Sequence, residues 1–109
     1  MVEAGVQLAL GSDAPVSPLD PWLAIAAAVH RSADERPPWH PEHALTVREA
    51  LAASVDGQRS VHSGMRADLV LLDADPLASA DDTAEQAARL RAMPIALTVV
   101  DGEVVHSEW

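Results

Sequence analysis

The apolar residues of this chain are mostly too small to bury much surface. Of its 109 residues 21 are alanine, none is phenylalanine or tyrosine, and Trp22, Trp39 and Trp109 are the only large aromatics. Burial stabilises in proportion to the apolar area removed from water, so an alanine-rich core gains less per residue than one of leucine and phenylalanine. The length fits one domain. A domain this small buries only about 60% of the surface of its unfolded chain. We therefore expect the chain to need a partner surface and to form a homo-oligomer.

Charge and composition narrow the partners further. The net charge is −10, with seven arginines and no lysine. That balance argues against nucleic acid, where Lys and Arg must neutralise phosphates, and against anionic membrane surfaces. No run approaches the roughly 20 apolar residues of a membrane span, and no cationic, apolar leader pattern opens the sequence. The absence of cysteine removes disulfides, thiolate zinc sites and a cysteine nucleophile. The expected location is the cytoplasm.

Along the chain, "VQLALG" (6–11) reads as a short strand ended by glycine. Asp20 as N-cap and Pro21 at the first helical position then start a helix, with Trp22, Ile25, Ala26 and Val29 at helical spacing. "SADERPPWHPEH" is a proline-rich loop. Thr46 and Glu49 form a capping box for a second helix that presents Val47, Ala50, Leu51 and Ser54 and stops at Gly57. "ADLVLLDAD" (67–75) suits a buried strand. "SADDTAEQAARLRAM" is a third helix, with acids at its positive end, Arg89 and Arg91 at its negative end, and Pro94 beyond. The last two β-rich runs are joined by Asp101-Gly102, a hairpin signal. The fold class is α/β, with a boundary expected near 57–64.

Asp13, in "LALGSDAPV", stands out chemically. A carboxylate just past a strand's carboxyl end is where α/β sheets and barrels place functional groups. It can ligate a metal or take a proton from bound water. The alternative is a turn residue whose side chain caps nearby N–H groups. His40 and His43, with Glu42 between them, form a second candidate. Pro41 and the surrounding prolines argue against a preformed helical face there, and two imidazoles do not complete a structural zinc shell. Asp73 and Asp75 read as solvated turn residues, and His30 suits the end of a helix.

Two stretches resemble a known family. "LALGSDAPVSPLDPWLAIAAAVHR" is similar to the final barrel strand and following helix of the amidohydrolase superfamily, in the branch of formamide and N-acyl amino acid hydrolases. "GMRADLVLLDADPL" and "ALTVVDGEVVHSE" resemble that family's C-terminal β-sandwich segment, and "PPWHPEHALTVREALAAS" fits its proline-rich loop and penultimate helix. The resemblance implies a metal-dependent hydrolase built on a distorted (β/α)8 barrel, acting on a small-molecule amide-type substrate. Asp13 would then be both metal ligand and catalytic base, with zinc the implied divalent ion.

The departures are equally informative. The family's His-x-His pair and its two later barrel histidines have no counterpart here, and a bridging carboxylated lysine is impossible without lysine. A barrel needs about 250 residues. The chain therefore reads as a C-terminal fragment: the last strand and helices of a (β/α)8 barrel over residues 1–57, and C-terminal strands of a composite β-sandwich over 58–109. Alone it should be inactive, hold no cofactor and associate through exposed strand edges. The alternatives are a non-catalytic α/β oligomerisation or binding module derived from such an enzyme, and a small metal-binding domain built on His40, Glu42 and His43.

Overall fold

A computed structural model describes residues 2–58 and 60–109. Helix α1 (Pro21–His30) begins as its sequence dictates. The Asp20 carboxylate accepts from the Trp22 N–H at 2.9 Å, and Pro21 takes the first position, where its missing N–H costs nothing. It ends at Arg31, which turns left-handed (φ 60°) and donates its N–H to Ala27 O at 2.7 Å. A 3₁₀ turn, Pro41–His43, leads into α2 (Val47–Ala52). The capping box of α2 is complete: Thr46 Oγ1 accepts from the Glu49 N–H at 3.2 Å, and Glu49 Oε2 from the Thr46 N–H at 2.8 Å. Helix α3 (Thr83–Arg91) is capped by Asp82, whose carboxylate accepts from the Glu85 N–H at 2.8 Å.

Three strands, β1 (Leu69–Leu72), β2 (Ile95–Val100) and β3 (Glu103–Ser107), form an antiparallel sheet in that order. In register, Thr98 stands between Val70 and His106. The β2–β3 turn is Asp101-Gly102, with φ of 50° and 83°. Positive φ at both central residues matches the right-handed twist of the strands, the geometry that Asp-Gly favours.

The core gathers Ile25, Ala26, Val29, Val47, Ala50, Ala87, Leu90 and Met93, so helices from both halves of the chain share it. Ala26, Ala50 and Ala87 are completely buried. Helix separation depends on the side chains at the contact, and alanines there let α1 pack closely against α2 and α3. His30 is the buried polar residue of this centre. The sheet contributes little: Ala96 is its buried residue, and Leu72 and Ile95 rest against the helices.

The structure corrects three expectations. Residues 6–11 form no strand. Strands exist by pairing, and the sheet among the described residues offers this segment no ladder; its Leu10 N–H bonds instead to Ala53 O at 2.9 Å. The strand at 67–75 is shorter than expected and not buried, since Leu69, Val70 and Leu71 remain exposed. No second layer among the described residues covers it. Helix α2 also ends at Ala52, well before Gly57.

Candidate functional site

Asp13 follows the unpaired segment and opens a turn. Its φ of 55° lies in the left-handed region that Asp tolerates better than most residues. Its carbonyl accepts from the Val16 N–H at 2.9 Å, and the Ala14–Pro15 peptide beyond it is cis. The local capping work falls to its neighbour, because Ser12 Oγ accepts the Ala14 N–H at 3.3 Å. Among the described residues, no hydrogen bond or ion pair engages the Asp13 carboxylate, which faces solvent.

Nothing in the described part of the chain converges on that carboxylate. A cleft of about 890 Å³ between residues 5–9 and α2 is lined by Arg48, Glu49 and Asp56 among others, and Asp13 is not in its wall. A second, of about 750 Å³ beside α3, is lined by Asp34, Glu35, Arg36 and Arg91. A catalytic zinc centre takes three protein ligands. Asp13 belongs to no group of three metal-ligating side chains among the described residues. These residues alone do not fit a hydrolytic metal, and no chemical step through one can be built on them.

The structure does bring together His40, Glu42 and His43. As expected, the prolines leave no α-helical face here; a short turn gathers the three side chains instead. His40 adopts a left-handed conformation (φ 48°), and Pro41 starts a 3₁₀ turn, a position its fixed φ suits. The turn is closed by His43 N–H to His40 O at 2.9 Å and Ala44 N–H to Pro41 O at 3.0 Å. It stacks the two imidazoles, with ring centroids 5.4 Å apart and an interplanar angle of 14°. His40 Nδ1 lies 2.8 Å from Glu42 Oε1, and this bond from the His40 ring holds the Glu42 carboxyl below its usual range. The Trp39 ring flanks His40 at 5.5 Å. Helical periodicity could not reveal the cluster, because neither the left-handed residue nor the 3₁₀ turn belongs to a periodic element.

The sequence pattern of the Amidohydrolase family matches residues 1–106. The chain belongs to this family. It is 36% identical, across 94% of its length, to an N-substituted formamide deformylase of Arthrobacter pascens. It is 29% identical, across 99% of its length, to YtcJ of Bacillus subtilis (strain 168), assigned by name to the amidohydrolases. The chain spans only 20% and 22% of those two relatives. No solved structure matches at the same stringency. The family membership expected from the stretches around Asp13, Asp68 and Gly102 thus holds across nearly the whole chain.

Proposed function

We propose that this chain is the C-terminal part of a metal-dependent amidohydrolase that cleaves non-peptide carbon–nitrogen bonds in small N-acyl or N-formyl substrates. One observation carries the reading: the family pattern fills residues 1–106 of a chain about one-fifth as long as its relatives. The deformylase relative supports the N-formyl end of that substrate range. Residues 1–57 would supply the last strand and helices of the barrel, and 58–109 the closing strands of the sandwich. The unpaired segment 6–11 and the open sheet are consistent with neighbours supplied by another part of the protein.

In this reading Asp13 is the carboxylate that the chain lends to a centre completed elsewhere, as ligand and proton acceptor. Its freedom from structural hydrogen bonds among the described residues supports that role. The bound ion, zinc in our reading, would make water a nucleophile near neutral pH. Isolated, the chain should be inactive. A second reading, a non-catalytic α/β oligomerisation or binding module, draws on one observation: the three helices close a core of their own without a barrel.

The test is to immunoblot source cells and to assay the complete reading frame for formate release from N-substituted formamides. We expect a native band far above 11.5 kDa and metal-dependent activity that Asp13→Asn lowers by about 10²–10⁴-fold, the usual reach of a general base. A native band at 11.5 kDa, or full activity in Asp13→Asn, would sink the hydrolase reading.

A further inference from the structure

We propose that His40, Glu42 and His43 bind one first-row divalent ion of the zinc or nickel class, at a site that does not include Asp13. One ligand atom from each residue already lies within 4.8 Å of the other two, and all three side chains are exposed. An ion can therefore reach them without opening the fold. Two imidazoles and a carboxylate are a donor set for borderline ions, whereas calcium and magnesium seek oxygen ligands.

The backbone that carries these donors is already fixed. Before the turn, Trp39 donates its N–H to Arg31 O at 2.8 Å, and Arg31 Nε donates back to Trp39 O at 3.2 Å. After it, Leu45 donates its N–H to Ala28 O at 3.0 Å. Both ends of the turn are thus tied to α1 or the residue that ends it, and binding has to order only three side chains. A tetrahedral ion with bonds of about 2.1 Å spaces its donors about 3.4 Å apart. His40 Nδ1 and Glu42 Oε1, now 2.8 Å apart, would open by about 0.6 Å to meet that spacing. The other separations, none above 4.8 Å, would close by rotation of solvent-exposed side chains. A fourth position faces solvent and is left for water. The bound ion would staple the connection between α1 and α2, and because it binds only the folded turn it would stabilise the fold.

The experiment uses the untagged chain, stripped with chelator, then titrated with zinc by calorimetry and with nickel by tryptophan fluorescence. We expect one ion per chain, and quenching of Trp39, whose ring lies 5.5 Å from His40. The double variant His40→Ala, His43→Ala should lose the ion while circular dichroism shows the fold retained. Glu42→Gln should weaken binding by about tenfold or more, since even outer-sphere partners of a ligating histidine carry about 10–100-fold in affinity. His106→Ala, which removes a second His–carboxylate contact (to Glu108, 3.4 Å), and Asp13→Asn should both leave the stoichiometry unchanged. Unaltered binding in the double variant, or no uptake under a large excess of zinc, overturns the proposal.

Discussion

His30 does more than suit the end of a helix. Its ring is almost wholly buried, and it reaches two other parts of the chain. Nε2 stands 3.3 Å from Arg36 O and Nδ1 2.9 Å from Thr83 Oγ1. A carbonyl only accepts, so Nε2 carries the hydrogen, and in the neutral ring Nδ1 accepts from the threonine hydroxyl. One imidazole thereby joins the end of α1 to the start of α3 and to the loop between. His30→Ala removes the partner of both groups and leaves a void among packed side chains. We expect a loss of about 2–3 kcal/mol, the sum of an unmet polar group and a cavity, measured by urea unfolding. A loss below about 0.5 kcal/mol, the usual size of a surface change, would show that the bridge is not held in solution.

At the scale of elements, β1 is fastened to the hairpin by more than its ladder. Asp68 Oδ1 accepts the Asp101 N–H at 2.7 Å, Arg66 Nε donates to Asp68 Oδ2 at 2.6 Å, and Gly102 donates its N–H to Ala67 O at 3.0 Å. The Asp101 amide first, and Arg66 second, hold the Asp68 carboxyl below its ordinary value of 3.8. The Thr46 bonds do the same for Glu49, ordinarily 4.5. A carboxyl lowered by folding adds stability above its unfolded value, and that stability drains away as pH falls through the folded one. Thermal unfolding followed by circular dichroism should therefore be insensitive to these groups at neutral pH. The melting temperature should drop below pH 4.5 and then below 3.8, and Asp68→Asn should flatten the lower part of that fall.

The same elements mark how far the sequence could be read. The three helices and the hairpin were legible because their determinants are local: Asp20 and Pro21, the Thr46–Glu49 box, Asp82, and Asp101-Gly102. The apolar run 6–11 forms no strand here because a strand is a property of two segments, and no second segment among the described residues pairs with it. Asp13 was legible as a carboxylate in the right kind of turn, but its surroundings depend on residues far away in sequence. His40 and His43 were visible as a pair, whereas their stacking depends on the left-handed conformation at His40.

For the whole molecule the governing quantity is surface. The folded chain exposes 7792 Å², against about 5,800 Å² for a folded monomer of its mass. Its radius of gyration is 14.5 Å, against about 13 Å for a compact domain of 100 residues. The excess, about 2,000 Å² on one chain, is more than twice the roughly 800 Å² that each partner buries in a standard protein interface, and exposed Val70, Leu71, Val104 and Val105 on the sheet contribute to it. We expect the isolated chain to self-associate through this sheet. Light scattering at micromolar concentration should give a mass above 11.5 kDa, and Val70→Lys with Val104→Lys should shift it toward one chain. A single-chain mass for the unaltered protein would refute the expectation. The wet sheet also sets how the monomer should melt. Denaturant sensitivity and heat capacity of unfolding both scale with surface newly exposed, and here much of the apolar sheet meets water before unfolding begins. Its transition should be broad and shallow for its length, and should sharpen when the sheet is covered.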